Sequence, residues 1–180
     1  MLLRKINAVF AILTTILILD HAIFFSVWML SRGAVAKSAS YLPQILLVLM
    51  VVHGVISIVL AFLGHRGTEK RKCNTYPKMN VSTVIQRASG ILMFLLIGFH
   101  LAGAANHFQP KMLHAVLHPL FFATVLAHVA VSMSRALITL GIGNAKFVKS
   151  VDVIVKVLCG ATLIAGVSGF YLCLFLGVAK

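Results

Sequence analysis

The sequence predicts an all-α fold, an integral membrane bundle of five transmembrane helices, and three observations favour this class. Of the 180 residues, 61% are hydrophobic, and the mean hydropathy is +1.04. Only 11% are charged, whereas about a quarter are charged in typical soluble domains. Five apolar runs are each long enough to cross the hydrocarbon core, which takes about 20 helical residues. A soluble domain of this composition would expose an apolar surface, so soluble classes are excluded.

Glycines, prolines and charged residues separate the five runs and punctuate the connections. The runs lie near 6–31, 41–64, 82–104, 113–140 and 151–178. No long hydrophilic segment divides them, so we expect a single transmembrane domain over 1–180. The basic start resembles a signal peptide. However, the first apolar run covers about 26 residues, against about 7–15 in a signal peptide, so we expect this helix to be retained.

The charged residues are mostly basic and lie between the apolar runs. The net charge of +13 arises from 16 lysines and arginines against three acids. This placement favours membrane topology over nucleic-acid binding, which the same balance would indicate in a soluble protein. A cytoplasmic N-terminus puts ten basic residues on the inner side and four on the outer side, which the positive-inside rule favours. The loop 65–80 holds the largest basic cluster, and three roles stay open for it: topology signal, anionic-lipid contact and docking of an acidic partner.

The three cysteines, Cys73, Cys159 and Cys173, form neither a C-x-x-C nor a C-x-x-C-H motif. This spacing argues against a c-type haem attachment and against a zinc knuckle. We therefore interpret the cysteines as packing residues.

Four histidines lie inside apolar helices, one on each of the first four: His21, His53, His100 and His128. Any one of them alone is explained as well by a hydrogen bond to a neighbouring helix. Four on four separate helices favour a function, because polar groups in hydrocarbon are costly and usually mark a functional path.

The depths of these histidines sort them into two pairs. A helix rises about 1.5 Å per residue, which places His53 and His128 about 17 Å from the inner ends of their helices and His21 and His100 about 25 Å. The predicted offset between the two levels is therefore about 8 Å. Facing imidazoles in apolar surroundings are what a bis-histidine b-type haem requires. Zinc prefers tetrahedral clusters with cysteine or carboxylate ligands, and two separated pairs do not suit it.

Small residues next to these histidines would let a flat porphyrin approach the helices: Gly54, Gly98 and Ala127. Ordinary small-residue helix packing explains them equally well. Arg87 and Arg135 lie at inner helix ends, where they are candidate partners of haem propionates or interfacial arginines that reach towards water. Three further histidines, His107, His114 and His118, are expected at or near the outer surface.

The segment Gln86-Arg-Ala-Ser-Gly90, followed by His100, resembles the Q-R-x-[ST]-G…H helix of a known family. That family is the cytochrome b subunit of succinate dehydrogenase and fumarate reductase, in its single-chain, five-helix, two-haem type. The helix count, the four-histidine layout and the basic second inner loop extend the resemblance over nearly the whole chain. The resemblance implies that His53 and His128 bind the iron of a proximal haem b, and that His21 and His100 bind the iron of a distal one.

The resemblance also implies partners, a substrate and a location. A cytoplasmic flavoprotein with covalent FAD and an iron–sulfur protein would dock on the inner face, and the chain would pass electrons between them and membrane quinone, in this type menaquinone. The chain would then be the membrane subunit of a respiratory enzyme complex in the bacterial cytoplasmic (inner) membrane. The complex itself could be a dimer. The resemblance does not fix the direction of catalysis.

Site residues follow from the same resemblance. Arg87, Arg135 and Ser89 are candidates for the haem propionates or the inner face. Asp20, His114 and His118 are candidates for an outer quinone site. Some fumarate reductases of this type carry a glutamate where this chain has Leu126, which puts a proton path through that position in doubt.

Two other functions compete with this hypothesis. A cytochrome b of a membrane hydrogenase or formate dehydrogenase also binds haem, but typically places two ligands on one helix. A transporter with histidines along a proton or metal path would need a continuous polar file, whereas the residues around these histidines are mostly aliphatic or aromatic.

Overall fold

The computed structural model describes residues 2–31, 42–69, 81–104 and 111–176. The described part consists of five α-helices: α1 Leu2–Leu30, α2 Leu42–Glu69, α3 Val81–Ala104, α4 Lys111–Leu140 and α5 Ala145–Leu176. All five are long and apolar enough to cross a membrane. The predicted all-α class and the five candidate membrane spans are therefore confirmed. Most of the basic loop, with Lys70, Arg71 and Lys72, lies outside the described residues, as do Cys73 and His107.

The helix bounds differ from the predicted ones where local capping decides. Helix α5 begins at Ala145 rather than near 151, because the Asn144 side-chain oxygen accepts the Phe147 backbone N–H at 2.9 Å. This is an N-cap interaction, which satisfies a donor that the helix leaves unpaired. Gly141 and Gly143, at φ 72° and 78°, supply the left-handed backbone of the α4–α5 turn. Helix α2 continues through its glycines to Glu69, since an isolated glycine weakens a helix without ending it.

Helices α1 and α4 form the centre of the bundle. Helix α1 packs on α2, α4 and α5, and α4 packs on α1, α3 and α5, whereas among the described residues α2 packs closely only on α1 and α3 only on α4. Helices α2 and α3 meet through the Phe94 ring, which lies where a Cβ at Gly54 would be. The first four helices therefore form a ring in chain order, with α1 opposite α3 and α2 opposite α4.

Helix α5 covers the outside of the α1–α4 pair, and small residues bring it close. A Cβ at Gly166 would lie against the Phe122 ring and 2.9 Å from the Ser26 hydroxyl, and one at Gly169 would lie 3.0 Å from the Met29 Cβ. Close backbone approach of this kind drives helix association in membranes, where apolar burial alone does not.

Contacts between helices show which ends of the helices meet. Near the start of α1, Asn7 donates to the Ser57 hydroxyl of α2 at 3.1 Å. The end of α5 meets the start of α4, where the Tyr171 hydroxyl donates to the Ala115 carbonyl at 3.1 Å. We call the first of these regions the N-terminal end of the bundle and the second the opposite end.

Candidate functional site

The four helix-embedded histidines lie at two levels, which the α3–α4 contact defines. Gly90 of α3 faces His128 of α4, since a Cβ at Gly90 would lie 3.3 Å from the His128 Cε1. His100 lies ten residues further along α3, which is about 15 Å towards the opposite end. His118 lies ten residues from His128 along the antiparallel α4, so it shares the level of His100.

The separation of about 15 Å is larger than the offset of about 8 Å expected from the sequence. That expectation measured depth from helix ends, which lie at different heights. Helix α2, for example, extends five residues beyond its predicted end at 64. Side-chain contacts between neighbouring helices give the separation of the two levels more directly.

At the level nearer the opposite end, the structure brings His21 and His100 together. Their ring centroids are 6.4 Å apart and their planes cross at 85°. Two imidazoles that bind one iron from opposite sides have centroids about 6 Å apart, because each metal–nitrogen bond is about 2 Å long. The two rings belong to α1 and α3, which lie opposite each other in the ring of helices. The pair therefore has the spacing and the placement of a bis-histidine site.

A cavity of ≈ 90 Å³ lies between the first four helices at this level. His21, His100 and His118 reach it, and the rest of its lining is apolar, with Ile18 and Met50 among the residues. The cavity is smaller than a porphyrin, so a haem-bound bundle must be wider. Helices α2 and α3, which meet through the Phe94 ring, form the side where the bundle can widen.

At the other level, His128 is held by α3. Its Nδ1 lies 3.1 Å from the Gln86 carbonyl oxygen and 3.1 Å from the Ser89 hydroxyl. The Ser89 hydroxyl donates to the Ile85 carbonyl at 2.6 Å, so it accepts from His128. The network thus assigns the proton to Nδ1 and leaves the Nε2 lone pair free, which is the form that binds a metal.

His53 lies within electrostatic range of His128 and beside the backbone of Asn7. The two histidines belong to α2 and α4, the second pair of opposite helices. Among the described residues, the His53 Nδ1 has no hydrogen-bond partner. The pairing of His53 with His128 stays a prediction, and the contact of His21 with His100 is compatible with the other predicted pair.

The Gln86–Gly90 motif surrounds His128 and also holds Arg135. The Arg135 guanidinium donates to the Gln86 side-chain oxygen at 2.7 Å and to the Thr83 hydroxyl at 2.8 Å. Both acceptors are neutral, so these two contacts position the guanidinium without neutralising its charge. The hydroxyl of Ser89, predicted as a propionate or inner-face candidate, forms hydrogen bonds with the Ile85 carbonyl and the His128 Nδ1. Arg87, the third candidate, is exposed.

The expectation that His118 lies at or near the outer surface is wrong. Its ring packs on His100 at 5.4 Å and on Phe170 of α5 at 4.6 Å between centroids. Its Nδ1 is buried, and so is that of His100, and neither has a partner among the described residues. Phe121 stacks on His100 as well, at 4.8 Å. Aromatic side chains of α4 and α5 therefore draw the first turns of α4 into the bundle.

Sequence reasoning missed His118 and Phe170 as parts of this level. A signal was present, because aligning Gly90 with His128 places His118 opposite His100. His114 lies one turn beyond His118, with ring centroids 5.3 Å apart. Asp20 is half-buried next to His21, and it does not line the described cavity.

The residues present fit haem better than a single metal ion. Within the described ranges, no three histidine, cysteine or acidic side chains converge to hold one ion, which is the cluster that zinc requires. A b-type haem needs two opposed imidazoles and apolar walls. Apolar walls surround the cavity, and His21 and His100 lie on opposite helices with ring centroids 6.4 Å apart.

No family model matches the chain, and comparison with curated proteins and with solved structures finds no match. The resemblance of the Gln86–Gly90 motif to the succinate dehydrogenase and fumarate reductase family therefore stays a prediction.

Proposed function

We propose that this protein is a two-haem cytochrome b that passes electrons across part of the membrane thickness. The observation that carries the proposal is the placement of two histidine pairs on opposite helices at two levels. The pair His21 and His100 has the centroid spacing of axial ligands, 6.4 Å. The other pair, His53 and His128, includes a ring whose Nδ1 is bonded and whose Nε2 is free.

Each side chain has a defined task in this proposal. His128 is oriented by the Gln86 carbonyl and the Ser89 hydroxyl, which bind its Nδ1 and leave its Nε2 for iron. His100 is oriented by aromatic stacking, and the apolar cavity wall keeps water away from it. Haem bound at each level would supply one-electron transfer. Arg135, at the N-terminal end of the bundle, carries a positive charge suited to a haem propionate.

We further propose that the chain is the membrane anchor of a succinate dehydrogenase or fumarate reductase. The residues that carry the family resemblance support this, because Gln86, Ser89 and Gly90 all contact His128 or Arg135. The N-terminal end would face the cytoplasm, where an iron–sulfur protein and a flavoprotein with FAD dock. Electrons would pass between that iron–sulfur protein and membrane quinone, of which menaquinone is the expected type.

The quinone site would lie at the opposite end, in the outer half of the membrane. Asp20 and His114 are the candidates there. Asp20 adjoins His21, and His114 packs on His118 and Phe170 at ring distances of 5.3 and 5.2 Å. His118 lies deeper and contacts His100 directly, so we separate it from the quinone candidates.

The visible spectrum of the purified protein tests the haem part of this proposal. We expect an α band typical of b-type haem after reduction with dithionite, and two haems per chain by pyridine haemochrome. A colourless protein would contradict the proposal and favour a histidine-lined transporter. His114→Ala is the control, because His114 belongs to neither pair, and it should keep both haems.

A pull-down from native membranes tests the partners. We expect a tagged chain to retain a protein with covalently bound flavin, visible by its fluorescence in a denaturing gel, together with succinate-dependent reduction of quinone. Retention of a nickel- or molybdenum-containing partner instead would favour the hydrogenase or formate dehydrogenase alternative.

A further inference from the structure

We infer that His118 is the hydrogen-bond acceptor for the axial ligand His100. In this arrangement the His118 Nδ1 accepts the Nδ1–H of His100 and makes the latter a stronger donor to iron. The inference rests on the proposed haem-binding function, which it deepens by assigning a positioning residue.

The two predicted ligands on α3 and α4 differ in the hydrogen bonds of their Nδ1 atoms. The His128 Nδ1 has acceptors in the Gln86 carbonyl and the Ser89 hydroxyl, both at 3.1 Å. The His100 Nδ1 is buried and has no partner within the described residues. Metal-binding histidines almost always donate their second ring N–H to an acceptor. His100 therefore needs an acceptor that its own helix does not supply.

His118 also needs a hydrogen-bond partner for its Nδ1. Its Nδ1 is also buried and unpartnered in the described structure, and its ring is a neighbour of His100 at 5.4 Å between centroids. A hydrogen bond between two ring nitrogens requires centroids about 5 Å apart. The ring spacing allows this bond once the two side chains rotate so that their Nδ1 atoms face each other. One bond then satisfies both buried nitrogens.

The tautomers are consistent with this arrangement. His100 with a proton on Nδ1 keeps its Nε2 lone pair for iron. His118 with a proton on Nε2 offers an Nδ1 lone pair as the acceptor. A neutral imidazole has one donor and one acceptor nitrogen, so both rings remain uncharged.

His118 cannot be the axial ligand that binds the same iron as His100 from the opposite side. These two residues lie on α3 and α4, which pack closely side by side, so their rings leave no room for a porphyrin between them. Besides His100, the rings around His118 are those of Phe170, His114 and Phe25, at 4.6, 5.3 and 6.0 Å. A phenylalanine at position 118 would keep an aromatic ring in these contacts and remove the nitrogen.

The midpoint potential of the distal haem tests the inference. An acceptor on Nδ1–H raises the basicity of the ligand and stabilises oxidised iron. We therefore expect His118→Phe, which keeps the stacking and removes the acceptor, to raise the distal midpoint potential. The proximal potential and the content of two haems should not change. The readout is a redox titration followed in the α band and by the low-spin ferric resonance signals.

Two further variants control for shape. His118→Gln keeps an acceptor oxygen and should stay near the wild-type potential. Phe175→Leu alters an exposed ring that stacks on Tyr171, and should change neither potential. An unchanged distal potential in His118→Phe would overturn the inference, and so would a His118→Gln variant that shifts as far as His118→Phe.

The outcomes also separate this inference from the proposed function. A wild-type chain without haem overturns both. A wild-type chain with two haems and an unshifted His118→Phe variant overturns the inference alone. If His118→Phe does not assemble, the His118→Gln potential decides: a value near wild type supports the acceptor role, and a raised value contradicts it.

Discussion

The two histidine pairs occupy similar helices in the same bundle, yet their surroundings differ. His128 is fixed by hydrogen bonds from its Nδ1 to a backbone carbonyl and a hydroxyl of α3. His100 is fixed by stacking against Phe121 and His118, with its Nδ1 unpartnered in the described structure. A hydrogen bond sets both the orientation and the basicity of a ligand, whereas stacking sets the orientation alone. The comparison teaches that the acceptor for one ligand comes from the neighbouring helix backbone and a serine, whereas the acceptor inferred for the other is a second histidine.

The difference continues beyond the ligands. Around His128, polar side chains of Thr83 and Gln86 hold Arg135. Around His100, aromatic rings extend through His118 to Phe170, so that α5 supports this level although it carries no predicted ligand. The level of His128, which we call the polar level, therefore depends on the α3–α4 contact. The level of His100, which we call the aromatic level, also depends on how closely α5 packs on the bundle.

The largest expected effect is the loss of one haem from each single ligand variant. His128→Ala or His53→Ala should remove one haem, and His21→Ala or His100→Ala should remove the other, because each iron loses an axial bond. Pyridine haemochrome and the low-spin resonance signals measure the loss. If a variant of one pair removed the resonance signal assigned to the other pair, the pairing would be wrong.

Gly90→Val should have the next largest effect, by displacing His128 at the polar level. A Cβ at Gly90 would already lie 3.3 Å from the His128 Cε1, and valine adds methyl groups beyond it. We expect a changed resonance signal or partial loss of the proximal haem, with the distal haem retained. Gly98→Val is the matched control on the same helix, since nothing lies within 4 Å of its Cβ position. Equal effects of the two variants would show that helix propensity, and not contact with His128, decides the outcome.

Gly166→Leu should disturb the aromatic level. The side chain would collide with Phe122 and Ser26 and lift α5 from the bundle, so Phe170 would move away from His118. We expect the distal haem to lose occupancy or change its spectrum before the proximal one does. Gly160→Leu serves as the control, because its Cβ position has no neighbour within 4 Å. A Gly166→Leu variant that affects only the proximal haem would contradict the proposed dependence on α5.

Ser89→Ala should have the smallest effect. It removes one acceptor of the His128 Nδ1–H, while the Gln86 carbonyl remains at 3.1 Å. We expect a loss of about 1 kcal/mol in the free energy of unfolding. A small rise of the proximal midpoint potential should accompany it. Thermal denaturation followed in the Soret band and a redox titration measure these changes, and a shift confined to the distal haem would contradict the assignment.

The sequence predicted the fold class well, because hydropathy and length fix transmembrane helices strongly. The predicted neighbours His21 and His100 are in contact in the structure, and the pairing of His53 with His128 stays a prediction. The start of α5 was missed, because Asn144 caps the helix well before its apolar run begins. The level of His118 was missed as well, because it depends on which residue of α3 faces which residue of α4, and helix ends do not reveal that register.

The contact between Phe94 and Gly54 has a consequence for how the protein matures. Helices α2 and α3 are in contact at the Phe94 ring, whereas the three other neighbouring pairs among the first four helices pack more closely over the described residues. A bulky cofactor that arrives after the helices have entered the bilayer would meet the least resistance at this seam. We therefore expect cysteines at positions 54 and 94, joined by a short bifunctional thiol reagent, to block loading when they are joined before the cofactor arrives, and to trap the cofactor when they are joined afterwards.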